Sequence, residues 1–173
     1  MKVVLKTAAL GLALLLPVAG AAWADAPDGW VTTKAKIAVL TTDGVGALDV
    51  NVDTHDGNVT LHGKVKTQAE KAKAEAAVRK VDGVRSVNNL LQVVPEAFEK
   101  SIQASDDNIK KNIENSLDDD AALKNVKVAS VTKGVVVLSG KTDTLDQKLR
   151  AIESAWKVAG VERVASEIQA GAR

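Results

Sequence analysis

Two stretches of this chain are spelled alike. GNVTLHGKVKTQAE, residues 57–70, is answered by GVVVLSGKTDTLDQ, residues 134–147. Gly57, Val59, Leu61, Gly63, Lys64 and Thr67 recur as Gly134, Val136, Leu138, Gly140, Lys141 and Thr144, each shifted by 77 positions. An offset held through both strand-like and helix-like stretches means one supersecondary unit present twice.

The unit can be read from its periodicities. Leu48, Val50 and Val52 alternate with polar residues, as do Val59, Leu61 and Val65, and Asp56-Gly57 lies between them. That pattern predicts a hairpin. A two-residue turn sets Val52 against Leu61, Val50 against Gly63 and Leu48 against Val65, all on one face. In the second copy a two-residue turn at Lys133-Gly134 would put Val128 opposite Ser139, on the wrong face. A three-residue loop, Thr132-Lys133-Gly134 with Gly134 left-handed, is therefore expected, returning Val128 to Leu138 and Val126 to Gly140. Thr67-x-x-Glu70 and Thr144-x-x-Gln147 are capping boxes that open a helix after each hairpin. Gly83 and Gly160, again 77 apart, stop those helices. A third strand follows, Val84–Val93 and Val161–Ile168, and a leading helix precedes each copy, about Trp30–Leu40 and Asp107–Leu117.

The unit is α-β-β-α-β, and the signature Gly57-Asn58-Val59-Thr60-Leu61-His62-Gly63, repeated as Gly134-Val135-Val136-Val137-Leu138-Ser139-Gly140, resembles the BON domain of bacterial envelope proteins. The resemblance implies an α+β fold of two tandem domains, residues 25–94 and 107–173, with a helical linker over 95–106. Each domain is expected to be a three-stranded mixed sheet with two helices on one face. Gly57, Gly63, Gly83, Gly134, Gly140 and Gly160 form the structural signature. Gly63 and Gly140 are expected to let a helix sit tightly on the sheet. By function, the resemblance implies attachment to phospholipid surfaces or envelope proteins and support of the envelope under osmotic stress. Chaperone-like assistance to outer-membrane proteins is implied as well. Carried over from relatives whose second domain meets anionic headgroups, Lys110, Lys111 and Lys124 become candidate contacts.

The N-terminus agrees with an envelope address. Lys2 and Lys6 precede an apolar run from Ala8 to Val18, and Ala22-Trp23-Ala24 offers a small-x-small site. This reads as a signal peptide over residues 1–24, cleaved after Ala24, and predicts a periplasmic protein. The remaining 149 residues carry 21 basic and 22 acidic groups, which gives no basic footprint for nucleic acid. There is no cysteine, so no disulfide or thiolate chemistry is available.

Between the copies, Phe98, Ile102, Ile109, Ile113 and Leu117 recur at helical spacing after Pro95. They suggest one continuous or barely broken helix from Glu96 to Leu117, with Ser105-Asp106-Asp107 as an alternative cap for a separate one. His55 and His62, the two histidines, fall on the polar, open face of the first hairpin, where solvent explains them. No acidic cluster completes a metal set, Asp118-Asp119-Asp120 reads as a solvated loop, and no Ser-His-Asp frame is visible. No catalytic residue, cofactor or metal is expected.

The copies differ on their outsides. Where the first capped helix has Gln68, Glu75, Arg79 and Asp82, the second has Leu145, Ile152, Trp156 and Ala159, with Leu149 alongside. Val131, Val135 and Val137 are expected on the sheet face where the first hairpin shows Asn58, Thr60 and His62. Such a surplus is too costly to leave idle in a small domain. It predicts docking against the first unit or the linker helix, or else a surface for lipid, a client protein or a second copy. Trp156, Ile152, Leu149, Val135 and Val137 are the candidate contacts. Self-association into a homo-oligomer through this surface is the alternative use.

Overall fold

The computed structural model describes residues 27–46 and 49–171. The signal peptide and the Leu48–Val65 pair lie outside those residues. The chain forms two α-β-β-α-β units. The first comprises α1 (Asp28–Leu40), β1 (Val50–His55), β2 (Asn58–Val65), α2 (Gln68–Val78), β3 (Ser86–Asn89) and β4 (Gln92–Val93). The second comprises α3 (Glu99–Asp118), β5 (Val126–Thr132), β6 (Val135–Thr142), α4 (Leu145–Trp156) and β7 (Arg163–Ala170).

In both units the first two strands are antiparallel and the last is parallel to the middle one. Val50 pairs with Gly63 and Val52 with Leu61, as the alternation predicts. The first unit's third strand is broken at Leu90–Leu91, and both of its pieces pair with β2. The capping boxes form: Thr67 Oγ1 accepts from Glu70 N at 3.1 Å, and Thr144 Oγ1 from Gln147 N at 3.2 Å. Each sheet then buries one face under its own helices. Val31, Ala35, Val39, Val59, Leu61, Ala74 and Val78 make the first core, and Ile109, Ile113, Val136, Leu138, Ala151 and Ala155 the second.

The second hairpin departs from expectation. Its turn has two residues, Lys133 (φ 49°) and Gly134 (φ 70°), which match Asp56 (φ 50°) and Gly57 (φ 74°) of the first. The extra residue is Ala129, a bulge inside β5 between Val128, paired with Leu138, and Ser130, paired with Val137. Val131 consequently pairs with Val136 and packs on the second core rather than on the open face. The turn keeps its two residues because a carboxylate clamps it. Asp106, buried in mid-α3, accepts from Lys133 N at 2.9 Å and Gly134 N at 3.2 Å. Asp28 holds Asp56 N at 2.8 Å and Gly57 N at 2.9 Å in the same way. These amides hold the Asp28 carboxyl below its ordinary value of 3.8, with Gly57 the larger cause. A longer loop would pull the second N–H out of reach. Asp106 is therefore no helix cap.

The linker is a 3₁₀ turn, Glu96–Phe98, running directly into α3. Lys64 of β2 reaches Glu99 at 2.5 Å, and Lys66 reaches Glu96 at 3.2 Å. The Glu99 hydrogen bond holds the Lys64 ammonium above its ordinary value. Phe98, at the head of the predicted apolar line, remains exposed.

Candidate interaction surface

The faces of the two sheets that their helices leave uncovered stack on each other. Thr60 Oγ1 of β2 donates to Glu167 Oε1 of β7 at 2.6 Å, and His62 Nδ1 lies 2.7 Å from Ser130 Oγ of β5. Val135 and Val137 share that face of β6 and are buried there, outside both helix-backed cores. The layers therefore run helices, sheet, sheet, helices. His62 is buried rather than solvent-facing, because the second sheet replaces the water that its position suggested. His55, at the strand end, stays exposed.

His62 Nε2 sits 2.8 Å from Asp53 Oδ2, so the structure does assemble a histidine and an aspartate of one hairpin with a serine remote in sequence. This bond, above all other influences, holds the Asp53 carboxyl below its ordinary value of 3.8. An ionised carboxylate only accepts, so Nε2 carries the proton and, in the neutral ring, Nδ1 accepts from Ser130. Hydrolytic triads use the ring the other way round, with the serine on Nε2 and the acid on Nδ1. Here the chain of bonds fastens one sheet to the other. Its pH dependence has a definite sign. A depressed carboxyl adds stability above its unfolded value and loses it as pH falls through its lower folded value. Thermal melts of the parent below pH 3.8 are expected to drop faster than those of Asp53→Asn. Parallel curves would remove Asp53 from the account.

Asp28, His55 and Asp56 bring three potential ligand atoms within 4.8 Å of one another, a grouping that alternation alone did not reveal. Asp28 spends both oxygens on the turn amides. In the triple-aspartate loop, Asp120 is engaged rather than merely solvated. Its Oδ1 accepts from Ala122 N at 2.9 Å and its Oδ2 from Arg150 at 2.8 Å.

The second domain's apolar surplus thus divides. Val135 and Val137 are used in docking. On α4, Leu145, Leu149 and Trp156 remain exposed at 62%, 56% and 50%, within about 40° of one another round the helix. Ile152 turns inward and joins the edge of the core. Arg150, which pairs with Asp120 just beyond α3, lies about 100–140° away from that line. The line therefore occupies the flank of α4 away from α3. Lys110 and Lys111 are exposed on α3, with Lys110 3.9 Å from Glu114, and Lys124 follows the short turn after it. The three lysines do not share a face with the α4 line.

One exposed surface escaped the sequence reading. Trp30, Ile37 and Leu40 of α1 are 57%, 54% and 60% exposed, on the side opposite the buried Val31, Ala35 and Val39. Their spacing of seven and three residues was the available signal, overshadowed by the core line on the same helix. Among the described residues no helix is long and apolar enough to cross a membrane.

Comparison with known proteins agrees with this geometry. A family model described as "BON domain" matches residues 27–95 and 105–172. The chain is 36% identical over 146 residues to the osmotically-inducible protein Y of Escherichia coli, covering 82% of this chain and 72% of that protein. Over 67 residues it is 37% identical to a 21 kDa hemolysin of Actinobacillus pleuropneumoniae, covering 39% of this chain and 32% of that one. Among solved structures, the C-terminal domain of CdsD, a structural protein of the type III secretion system of Chlamydia trachomatis, aligns with a TM-score of 0.33 at 14% identity. The alignment covers 80% of this chain and 63% of that chain, and so distant a likeness carries no argument.

Proposed function

The chain belongs to the BON-domain family, and on that premise we propose that it is a non-enzymatic periplasmic protein that attaches to phospholipid surfaces and supports the envelope under osmotic stress. The osmotically inducible relative supports the stress connection, and the signal-like N-terminus supports the location. The observation that carries the lipid reading is the α4 line of Leu145, Leu149 and Trp156, left exposed after Val135 and Val137 are buried in docking. Fully burying one such side chain is worth about 1.5–3 kcal/mol, and tryptophan suits the boundary between headgroups and acyl chains. Lys148 on the same helix supplies a charge for anionic headgroups.

The test is co-sedimentation with vesicles of equal parts phosphatidylethanolamine and phosphatidylglycerol at low salt. Leu149→Glu/Trp156→Glu is expected to lower the vesicle-bound fraction by about tenfold or more. Its melting temperature should be unchanged, because both residues are half exposed. A parent protein that stays in the supernatant sinks the lipid reading. A lipid-free dimer that this variant splits would favour self-association instead.

A further inference from the structure

The last strand of the second sheet has a free edge. β7 runs eight residues without a break, pairs with β6 and stands at the end of the sheet. Arg163 N donates to Gly134 O and Gly171 N to Thr142 O. Alternate residues from 163 to 171 therefore turn their amides toward β6, and Val164, Ser166, Ile168 and Ala170 turn theirs outward. Among the described residues, the one partner on that outer side is Ser166 Oγ, which accepts from Ile168 N at 3.3 Å.

The first unit closes the same edge. Its third strand is cut into pieces of four and two residues. Leu91, at the break, donates its N–H to Asn89 Oδ1 at 3.2 Å and accepts from Lys71 Nζ on its carbonyl at 2.6 Å. Moved by 77 positions, these three residues are Ile168, Ser166 and Lys148. The Lys148 ammonium makes no hydrogen bond among the described residues, and the Ile168 carbonyl receives none from the outer side. Sheets blunt an edge with a bulge, a proline or a short strand. β5, at the opposite edge, has its bulge at Ala129. β7 has none of the three.

The edge is bordered on both faces. α3 covers β5 while α4 covers β6 and β7, so the flank of α4 away from α3 borders the space beyond β7. Leu145, Leu149 and Trp156 lie on that flank. Where the start of α4 passes the end of β7, a hollow of about 390 Å³ opens, lined by Thr144, Leu145, Asp146 and Gly171. On the other face the first unit's hairpin presents polar groups, with Thr60 bonded to Glu167 and His55 Nδ1 3.5 Å from Gln169 Nε2.

We propose that the free edge of β7, with the exposed line of α4 beside it, takes up an extended peptide segment of another protein as a fourth strand, one whose apolar and polar side chains alternate. The outward amides and carbonyls supply the main-chain bonds, and the two borders set the alternation. A second copy fits less well. Pairing edge to edge would bring its own first unit onto the face where the hairpin already stands over Glu167 and Gln169. The site does not rest on the lipid reading, although Leu149 and Trp156 belong to both surfaces.

The experiment uses the protein without its signal segment, free of lipid, and a fluorescent peptide as long as β7 that alternates valine and threonine between terminal lysines. Anisotropy is expected to show saturable binding, and hydrogen exchange at the Val164 and Ser166 amides to slow about tenfold or more in the complex. Ser166→Pro removes an outward N–H and no bond to β6. It should weaken peptide binding about tenfold while vesicle co-sedimentation stays at the parent's level. Ser166→Ala keeps the amide and should bind at least as tightly as the parent. Leu149→Glu/Trp156→Glu should weaken peptide and vesicle binding together. A parent that does not bind the peptide overturns the proposal and leaves the vesicle reading untouched. A parent that binds peptide but no vesicles overturns the lipid reading and leaves this one standing. Binding with unchanged exchange at Val164 and Ser166 assigns the contact to the α4 line alone and overturns the added strand, however Ser166→Pro folds. A peptide-free dimer that Ser166→Pro splits gives the edge to a second copy and overturns the peptide occupant.

Discussion

Replacing Gly140 with alanine is expected to unfold the second domain or to cost it about 4 kcal/mol, combining left-handed strain with a steric clash. Gly140 has φ 120°, and a Cβ there would stand 2.0 Å from the carbonyl oxygen of Asn125. Gly63 repeats the arrangement with φ 107° and the Asp49 oxygen at 2.1 Å. The group met is backbone at the entry to the first strand of the hairpin, and not a helix, as the sequence suggested. Gly63 pairs with Val50 and Gly140 with Val126, so the close approach falls at the far end of each ladder, where the incoming chain crosses the middle strand. Backbone cannot swing aside as a side chain does. Gly160→Ala provides the contrast, because its Cβ would meet Ile109 Cδ1, the flexible end of a side chain, at 2.9 Å. Urea unfolding should rank Gly140→Ala well below Gly160→Ala. Equal midpoints would remove the backbone clash as the reason for the glycine.

The second large effect is expected from Val137→Asp. Val137 is fully buried on the face that meets the first domain, beside its cross-strand neighbour Ser130, whose hydroxyl is already engaged with His62. An uncompensated buried charge costs about 3–5 kcal/mol. The sheet need not take all of that cost, since separating the two faces would return the carboxylate to water. The expected outcome is therefore loss of docking before loss of fold: a larger radius in small-angle scattering and a melt that splits in two. A single, unshifted transition at the parent radius would contradict the stacked-sheet arrangement.

The repeat, the capping boxes and the first hairpin's register were all legible because each is a local pattern, settled within a dozen residues. What escaped was non-local. Nothing near Asp106 announces that its carboxylate grips a turn 27 residues away, and without that grip the extra residue of the second hairpin is more naturally placed in the loop than at Ala129. Thr60 and His62 alternate as solvent positions do, and only the presence of a second sheet turns them into buried, bonded groups. The apolar line on α4 was visible in the difference between copies. Which part of the surplus would be spent on docking was not, because that depends on which faces meet. On α1, the exposed Trp30, Ile37 and Leu40 were hidden because they interleave in sequence with the core positions of the same helix.

Because α3 serves as connector and as the opening element of the second domain, there is no slack between the halves. Along such a shaft, one residue added between Glu99 and Asp106 would turn the far half by about 100° and advance it about 1.5 Å. Thr60 and Glu167 would then no longer face each other. The mutual orientation of the halves is thus a matter of rotational phase, written into the number of residues in one helix, and relatives that keep the same facing must keep that count.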